Sequence, residues 1–431
     1  MLKLSVVGTG YLGATHAACM ASMGFEVIGV DTDTEKIKAL SNGNLPFFEP
    51  GLSDLLREQV NSGRLKFTND FSKIAECDVH FICVGTPQKK DGLAADLTYV
   101  YSAFESVAKV AKSGSLLVGK STVPVGTAES LAKNLPAHLE LAWNPEFLRE
   151  GFAVEDTLKP NRLVVGVTSD RAENILMESY KKNLDEGTPW VRADLPTAEL
   201  VKVAANSFLA TKISFINAMA EICEAAGGDV TVLAKAIGYD PRIGNRFLQA
   251  GIGFGGGCLP KDIRAFMARA EELGASQSLE FLREIDSINL RARQRVIEVV
   301  KDHLGLDLKS FKIAVLGAAF KPDSDDVRDS PALDIAAQIF EAGAKVSVHD
   351  PKAIEPAKKR FPELDFKGDI EDCVKDADLI LHLTEWKVYR ELDPVRIKQL
   401  VKTPRIIDGR NTLDREKWRA AGWDFKALGR A

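Results

Sequence analysis

A glycine-rich turn near the amino terminus constrains the fold more than any other feature of the sequence. Gly8-Thr9-Gly10-Tyr11-Leu12-Gly13 follows the apolar run Leu4–Val7 and opens a helical pattern. The first glycine allows a tight turn, the second lets backbone approach a pyrophosphate, and the third permits close helix–strand packing. Asp31 stands about 20 residues further on, where a carboxylate suits a ribose 2′-hydroxyl and disfavours a 2′-phosphate. The sequence predicts NAD binding here rather than NADP, with Lys36 near the adenosine end, and a turn without ligand is the alternative.

Strand and helix patterns alternate through most of the chain. In the first ~190 residues, apolar runs between helical segments predict buried parallel strands. Near Lys309 the alternation returns, and the second stretch weakly repeats the first. Lys312–Gly317 matches Leu2–Gly8, and Lys345–Asp350 matches Glu26–Asp31. We therefore predict an α/β fold with two doubly wound Rossmann-like domains.

The second copy and the segment before it differ from the first copy. Ala318 and Ala319 replace the glycine spacing, so we do not expect the second domain to bind a dinucleotide in the same way. Pro196 suits a first helical turn, and no further glycine or proline follows until Gly227. Such a helix is about 45 Å long and exceeds one small domain. We predict domains at 1–195, 196–304 (helical, with this connecting helix) and 305–431, and a subunit contact along the helix is a further hypothesis.

Composition and charge exclude several functional classes. The net charge of −5 and the lack of a long basic run disfavour nucleic-acid or membrane-surface binding. No apolar run reaches the about 18 residues of a spanning helix, and Met1 leads directly into a strand pattern without a signal peptide. Six scattered cysteines without a CxxC pair, and six scattered histidines, predict a cytoplasmic protein without disulfides or metal.

Two further loops stand at the carboxyl ends of predicted strands. They are Val84–Pro87, which includes Thr86, and Lys120–Gly126, which includes Thr122. Doubly wound sheets bind ligands at this edge. Each loop is equally compatible with an ordinary capping turn.

The segment Gly251–Asp262 is the most unusual in the chain. Five of its first seven residues are glycine, which costs backbone entropy and permits close approach to a ligand. Pro260 suits a first helical turn, so Cys258 is expected just before a helix amino terminus and close to Lys261. Both effects favour the thiolate. We predict Cys258 as a covalent nucleophile, and a buried structural cysteine beside a flexible loop is the alternative.

Two pairs of polar residues have a spacing of four. In a short helix predicted over 144–150 with Asn144 as N-cap, Glu146 and Glu150 share one face. Lys202 and Asn206 have the same spacing on the long helix and need partners if they are buried. From spacing alone, each pair is more typical of a solvated surface face than of a site.

Together these segments resemble the UDP-glucose/GDP-mannose dehydrogenase family over essentially the whole chain. Seven motifs in chain order carry the resemblance: Gly8–Gly13, Gly85–Pro87, Ser121–Gly126, Asn144–Gly151, Glu199–Asn206, Phe254–Asp262 and Gly317–Pro331. The resemblance implies oxidation of the C6 alcohol of a nucleotide sugar to a carboxylate by two NAD+, without release of the aldehyde. The matches around 240–244 and 247–251 favour UDP-glucose, with UDP-glucuronate for polysaccharide biosynthesis as the product.

The resemblance also implies catalytic roles. Cys258 adds to the aldehyde as a thiohemiacetal, which is oxidised to a thioester that water hydrolyses. Lys202 and Asn206 are implied to stabilise the oxyanion. Asp262 and Thr122 are implied to order the water. Glu146 or Glu150 is implied to transfer protons. The division of work between the carboxylates stays open.

Binding residues follow from the same resemblance. The substrate is implied to bind between the central and carboxy-terminal domains, through Phe147, Leu148, Arg149, Glu150, Lys202, Asn206, Phe247, Leu248, Gln249, Ala250, Gly251, Gly255 and Lys321. The implied NAD contacts are Asp31, Lys36, Thr86, Thr122, Glu150, Lys261 and Arg328. Arg242 is implied to reach the substrate of a partner subunit in a homodimer or higher homo-oligomer. Gly257 departs from the Ser or aromatic residue often found there, which weakens inference about the sugar.

Three alternatives stay open. The same chemistry on GDP-mannose or a UDP-N-acetylhexosamine would use the same motifs. A non-catalytic nucleotide-sugar or NAD sensor would not need intact Cys258, Lys202, Asn206 and Asp262. A two-domain hydroxyacid dehydrogenase with this amino-terminal half would need neither the cysteine nor a second sheet domain.

Overall fold

The amino-terminal part of the chain forms one large sheet in the computed structural model, which describes residues 2–430. Its strands are β1 (Lys3–Val7), β2 (Glu26–Val30), β3 (Leu65–Thr68), β4 (Val79–Ile82), β5 (Leu116–Gly119), β6 (Glu140–Trp143), β7 (Leu163–Val167) and β8 (Trp190–Ala193). They lie in the order β3-β2-β1-β4-β5-β6-β7-β8, with β6 and β7 antiparallel and the other neighbours parallel. The first six strands have the order of a dinucleotide-binding fold, which confirms the predicted Rossmann domain.

Helices pack against this sheet because its strands present apolar side chains on both faces. Successive residues of β5 show this: Leu116 and Val118 belong to one hydrophobic cluster and Leu117 to another. The helices between the strands are α1 (Tyr11–Ser22), α2 (Thr34–Ser41), α3 (Leu52–Asn61), α4 (Thr98–Ala108), α5 (Thr127–Asn134), α6 (Ala153–Leu158), α7 (Asp170–Ser179) and α8 (Lys181–Asp185), with a 3-10 turn at Phe71–Ile74.

The middle of the chain is helical, as predicted. Its helices are α9 (Leu195–Ala226), α10 (Val230–Gly238), α11 (Leu259–Glu272) and α12 (Phe281–Leu304), with a 3-10 turn at Ser276–Leu279. The predicted connecting helix is α9, whose 32 residues make it about 48 Å long. Gly227, at φ 76°, follows its last residue.

A second sheet occupies the carboxy-terminal part. Its strands are β9 (Lys312–Leu316), β10 (Lys345–His349), β11 (Asp365–Lys367), β12 (Leu379–His382), β13 (Arg405–Asp408) and β14 (Asp424–Ala427). They are parallel in the order β11-β10-β9-β12-β13-β14. The helices around them are α13 (Pro331–Glu341), α14 (Ile354–Arg360), α15 (Ile370–Val374), α16 (Lys387–Arg390), α17 (Pro394–Lys398) and α18 (Arg415–Ala420).

The weak sequence repeat corresponds to the same hydrogen-bonding arrangement in both sheets, in which an aspartate accepts backbone N–H groups. In the first sheet, the carboxylate of Asp31 after β2 accepts the backbone N–H of Thr9 at 2.8 Å. In the second, the carboxylate of Asp350 after β10 accepts the N–H groups of Ala318 and Ala319 at 2.8 and 3.0 Å. Each aspartate therefore accepts backbone hydrogen bonds from the turn that follows the first strand of its own sheet.

The chain folds into two compact units. One contains residues up to Ala205 together with Arg264–Ala275, and the other contains Asn206–Ile263 together with residues from Ser276 onward. Helices α9 and α11 each contribute residues to both units. The predicted boundaries at 195/196 and 304/305 stay a prediction. Within residues 2–430, no helix is long and apolar enough to cross a membrane, and no group of three or more His, Cys, Asp or Glu side chains is placed to hold a metal ion.

Candidate dinucleotide site and reactive cysteine

The glycine-rich turn has the geometry that its three glycines predict. Gly8 lies in the left-handed region at φ 86°, and a Cβ there would come within 2.8 Å of Val84. A Cβ at Gly13 would overlap the carbonyl oxygen of Gly8, so α1 packs this closely only with glycine at that position. Gly10 differs, because no atom lies within 4 Å of where its Cβ would be. This open side and the amino terminus of α1, which has no side-chain cap, leave room and free N–H donors for a pyrophosphate.

Asp31 lies beside this turn with its charge held in place. Oδ2 accepts hydrogen bonds from Thr9 N at 2.8 Å and Lys36 Nζ at 3.0 Å, and Oδ1 accepts one from Asp33 N at 3.1 Å. Burial acts to raise the pKa of Asp31, but the hydrogen bonds from Asp33, Lys36 and Thr9 outweigh it and lower the pKa. The half-buried side chain is therefore ionised at neutral pH and suits a further hydroxyl donor.

Glu49 connects Tyr11 of the glycine turn to a distant segment. Tyr11 donates its hydroxyl to Oε2 of the buried Glu49, and burial together with this bond raises the pKa of Tyr11. The same carboxylate accepts Gly151 N and Ala153 N, each at 2.7 Å. Sequence reasoning missed Glu49, because nothing in its neighbourhood signals a partner about 100 residues away.

The two loops predicted at strand carboxyl ends are brought together. Thr86 Oγ1 donates to the carbonyl oxygen of Thr122 at 2.9 Å, and Ser121 Oγ donates to that of Val84 at 2.6 Å. The contact arises because β4 and β5 are neighbours in the sheet, so the loops that follow them share one edge. This is the edge where doubly wound sheets bind ligands.

Lys120 is a buried cation at the start of the second loop. Its Nζ donates to Asn144 Oδ1 at 2.9 Å and pairs with Glu146 Oε2 at 3.1 Å, while Tyr180 Oη donates to the same Asn144 oxygen at 2.7 Å. Burial acts to lower the pKa of Lys120, but attraction to Glu146 and Tyr180 outweighs it and raises the pKa. Burial is also the main reason that the pKa of Tyr180 rises to about 12. Sequence reasoning missed Lys120 and Tyr180.

The predicted helix over 144–150 is wrong, because this segment is a loop without helical turns. Asn144 does not cap a helix: its Nδ2 donates to the carbonyl oxygen of Val164 at 2.8 Å. Glu146 Oε1 accepts the N–H groups of Phe147 and Leu148 at 2.8 and 3.1 Å, which pairs these donors locally. Glu146 and Glu150 are therefore not neighbours on a helix face.

Phe147 lies close to Lys202, one of the two polar residues predicted to share a face of the long helix. Lys202 Nζ lies 5.5 Å from the centre of the Phe147 ring, and the Arg162 guanidinium lies 4.0 Å from it. Arg149 is exposed and paired with Asp156, with Nη2 and Oδ1 2.6 Å apart. The structure thus brings Phe147 and Lys202 together and adds Arg162, which sequence reasoning missed.

Cys258 differs from the other cysteines in its surroundings. It is exposed, whereas the other five are buried. Burial is the main reason that the pKa values of Cys19, Cys83 and Cys373 rise to about 12. The carbonyl oxygen of Cys258 accepts the first helical hydrogen bond of α11, from Asp262 N at 2.9 Å. Cys258 therefore occupies the N-cap position of α11, as the sequence predicts.

Two predicted catalytic residues form a buried pair next to this helix start. Asn206 Nδ2 donates to Asp262 Oδ2 at 2.7 Å, and Asp262 is only 2% exposed. The other oxygen of Asp262 pairs with Lys261 Nζ at 2.6 Å. Lys202 precedes Asn206 by one turn of α9. In the division into compact units, Lys202, Thr122, Glu146 and Glu150 belong to the first, while Asn206, Cys258, Lys261 and Asp262 belong to the second.

The glycines before Cys258 pack closely against other parts of the chain. A Cβ on any of the five would come closer than 3.0 Å to another part of the molecule. At Gly251 it would meet the carbonyl oxygen of Gly409, and at Gly257 it would overlap the guanidinium of Arg328. Asn289 fixes the loop between them, because its side chain accepts from Phe254 N at 2.7 Å and donates to the Phe254 carbonyl oxygen at 3.0 Å.

The remaining predicted binding residues lie on loops of the second unit. In the 247–251 segment, Leu248 and Ala250 are buried, Phe247 adopts φ 62°, and Gly251 N donates to Asn217 Oδ1 at 2.8 Å. The charged residues of these loops have their own contacts: Arg242 with Asp240 at 2.6 Å, Arg328 with Asp326 at 2.6 Å, and Lys321 over the Phe320 ring at 5.5 Å.

Comparison with protein families accounts for nearly the whole chain. Residues 2–184, 196–291 and 314–415 match, in that order, the NAD binding domain, the central domain and the UDP binding domain of the UDP-glucose/GDP-mannose dehydrogenase family. The match confirms the resemblance found in the sequence motifs. It also assigns NAD as the cofactor of the amino-terminal domain.

Individual relatives align over nearly their full length. The UDP-glucose 6-dehydrogenase TuaD of Bacillus subtilis (strain 168) is 41% identical, with 100% of this chain and 94% of the relative covered. The UDP-glucose 6-dehydrogenase of Rhizobium meliloti (strain 1021) is 39% identical, with 100% of both covered. Among solved structures, a UDP-glucose dehydrogenase from the archaeon Pyrobaculum islandicum has a TM-score of 0.90 at 35% identity, with 100% of this chain and 98% of that chain covered. A UDP-D-ManNAc dehydrogenase from Pyrococcus horikoshii has a TM-score of 0.86 at 27% identity, with 100% and 99% covered.

Replacing Asp31 is expected to weaken NAD+ binding. Asp31→Ala removes the charged acceptor that is predicted for the ribose, and we expect the Kd to increase roughly 10- to 100-fold. Titration calorimetry with NAD+ and NADP+ measures the effect, and the preference for NAD+ should narrow. Asp33→Asn is the control, because an asparagine at this position would still cap α2 while Asp31 stays intact. Unchanged NAD+ affinity in Asp31→Ala would refute the ribose contact.

Proposed function

This chain belongs to the UDP-glucose/GDP-mannose dehydrogenase family, and within it we propose that the chain oxidises UDP-glucose to UDP-glucuronate through a thioester on Cys258. The substrate assignment is supported by relatives named UDP-glucose 6-dehydrogenase at 39–41% identity over the full chain. The observation that carries the chemistry is the exposed thiol of Cys258 at the amino terminus of α11. Backbone N–H groups and the positive end of the helix dipole favour a thiolate there.

The proposed reaction balances as a four-electron oxidation. One alcohol, one water and two NAD+ give one carboxylate, two NADH and three protons. NAD+, when bound, supplies the hydride acceptor for both oxidations. The Cys258 thiolate adds to the aldehyde carbon, and the resulting thiohemiacetal loses a hydride and a proton to become a thioester. Water then attacks the thioester carbonyl, and the thiol leaves.

Lys202 and Asn206 are proposed to stabilise negative charge on the C6 oxygen. A lysine ammonium and an amide N–H are suitable donors to an oxyanion. The ion pair of Asp262 with Lys261 and its bond to Asn206 support a fixed carboxylate next to the nucleophile. We propose that Asp262 orders the attacking water together with Thr122.

Glu146 and Glu150 are proposed to serve proton transfer and hydrolysis. The carboxylate of Glu146 is fixed by Lys120 and by two backbone N–H groups, which supports a constant position through the reaction. Asn144 completes the surroundings of Lys120, because its Oδ1 accepts hydrogen bonds from both Lys120 and Tyr180. Precise placement is what a general base requires.

Substrate contacts are proposed for the segments that the sequence resemblance marks. They comprise Phe147, Leu148, Arg149, Glu150, Lys202, Asn206, Phe247, Leu248, Gln249, Ala250, Gly251, Gly255 and Lys321. The aromatic ring of Phe147, flanked by two cations, supports a site for an anionic ligand on that side. The NAD contacts proposed beyond the glycine turn are Asp31, Lys36, Thr86, Thr122, Glu150, Lys261 and Arg328.

We also propose that the chain forms a homodimer through α9. Phe208, Phe215 and Ile222 follow one another at intervals of seven residues, so they lie along one helix face. They are 66%, 47% and 60% exposed, respectively. Three large apolar side chains in a row on a surface helix are typical of a protein contact. Arg242, which is 87% exposed, is proposed to reach the partner's substrate.

The stoichiometry of NADH production tests the proposed function. Purified protein is given limiting UDP-glucose, GDP-mannose or UDP-N-acetylglucosamine with excess NAD+, and NADH is measured at completion. We expect two NADH for each UDP-glucose and little from the other two sugars. One NADH for each sugar would exclude the thioester route. Preference for another sugar would correct the substrate and leave the mechanism standing, and no NADH from any sugar would favour the non-catalytic sensor.

Removing the nucleophile is expected to stop turnover without affecting the cofactor. Cys258→Ser should lower kcat by roughly 1000-fold or more, because a serine hydroxyl lacks an activated anion at neutral pH. NAD+ affinity, measured by calorimetry, should stay unchanged, and intact-mass measurement after incubation with substrate would reveal any trapped ester. Cys223→Ala, at a buried cysteine of α9, is the matched control. Full activity in Cys258→Ser would end the nucleophile assignment.

A charge on the exposed face of α9 is expected to prevent assembly. Phe215→Glu places a carboxylate in the middle of the apolar row, where burial against a second copy would be costly. Size-exclusion chromatography with light scattering should show a dimer for the unmodified chain and a monomer for the variant. Leu306→Glu is the control, since Leu306 is 86% exposed and lies outside the row. A monomeric unmodified chain would contradict the dimer.

A further inference from the structure

Glu199 is a buried carboxylate to which the proposed mechanism gives no role. It is 2% exposed and lies on α9. Its Oε2 accepts the N–H of Gly126 and its Oε1 that of Ala128, each at 2.7 Å. These amides belong to the N-cap and the second residue of α5. Glu199 therefore caps α5 from another helix, 73 residues away in sequence.

The loop that ends at this cap contains Thr122. Its first part is fixed by Lys120 and by the hydrogen bond of Ser121, and its middle by Thr86, which donates to the Thr122 carbonyl oxygen. Its end has two contacts of opposite charge. Glu199 binds the N–H groups, and Arg269 Nε donates to the carbonyl oxygen of Val125 at 2.8 Å. The last part of the loop therefore depends on these two side chains.

Glu199 shares a face of α9 with Lys202. The two are three residues apart, so they lie on the same side of the helix, one turn from each other. Through the carboxylate, α9 is attached directly to the end of the loop that contains Thr122. We propose that Glu199 is a positioning residue that fixes the Thr122 loop for NAD+ binding by accepting the Gly126 and Ala128 amides. The inference rests on the proposed function only for the roles of Thr122 and Lys202.

Burial, hydrogen bonds and nearby charges act on the pKa of Glu199 in opposite directions. Burial raises the pKa of Glu199 to about 7, the two backbone N–H groups act to lower it, Glu129 of α5 raises it, and Arg269 of α11 lowers it. The hydrogen bonds from the loop therefore favour the ionised carboxylate, whereas burial favours the neutral acid. Both oxygens are acceptors only in the ionised form, since protonation converts one of them into an O–H donor.

Glu199→Gln tests the proposal, because glutamine keeps the shape but turns an NH2 group toward one of the two amides. At constant pH, peptides covering residues 120–131 should exchange amide hydrogen roughly 10-fold faster in the variant, by mass spectrometry of the full chain. Calorimetry should show NAD+ bound roughly 10-fold more weakly. The affinity for UDP-glucose and the thermal midpoint should change little, which separates positioning from general loss of structure.

Glu129→Gln is the matched control, since it removes a carboxylate of the same helical turn and leaves both amide bonds to Glu199 in place. Its loop should exchange as slowly as in the unmodified chain. Loop exchange and NAD+ affinity unchanged in Glu199→Gln would overturn the proposal, as would a uniform loss of both affinities with a lower thermal midpoint. NAD+ affinity and exchange are independent of the sugar, so they decide the role of Glu199 even if UDP-glucose is not the substrate.

Discussion

The loops at the carboxyl edges of both sheets carry backbone N–H and C=O groups that neither strands nor helices pair. Leaving such groups unpaired in a buried place costs free energy, so buried polar side chains take over the pairing. In the first unit, three carboxylates accept backbone N–H groups. Asp31 accepts one from the glycine turn, Glu49 accepts those of Gly151 and Ala153, and Glu199 accepts two at the start of α5. These loops keep their shapes because each donates backbone N–H groups to a carboxylate that lies on a different element.

The same constraint explains the loop before Cys258. Asn289, which is fully buried, pairs both backbone groups of Phe254, and Asn217 pairs Gly251 N. At Gly251, Gly253 and Gly255 a Cβ would come closer than 3.0 Å to the backbone of another segment, so the loop packs this closely only with glycine there. The glycines are expected from the sequence to allow the approach of a ligand, and they also allow this close packing of the loop that precedes Cys258.

Periodic features could be predicted from sequence, whereas long-range polar partners could not. The glycine turn, the 32-residue α9 and the helix start after Cys258 follow from local patterns that have one physical interpretation each. Asn144 has two possible interpretations, because its side chain suits either a helix cap or a buried hydrogen-bond network. In the structure it forms the network, with Lys120 and Tyr180. The partners of Glu49 and Glu199 lie 102 and 73 residues away, a distance at which no local pattern operates. Sequence motifs predict which residues form the site, but they do not indicate which long-range contacts hold those residues in place.

The same type of hydrogen bond, from a backbone N–H to an aspartate, has different consequences in the two sheets. Asp31 and Asp350 occupy equivalent positions after the second strand of their sheets, and both accept backbone N–H groups from the first turn. Asp350 also accepts Trp386 Nε1, Lys352 N and Ala353 N, and it is buried. With five donors on two oxygens, it has no capacity left for a ribose. Asp31 remains half-buried next to Gly10, where the turn is open. In the second sheet the hydrogen bonds from the turn to the aspartate thus stabilise the fold. In the first sheet they leave an ionised carboxylate beside space for the cofactor.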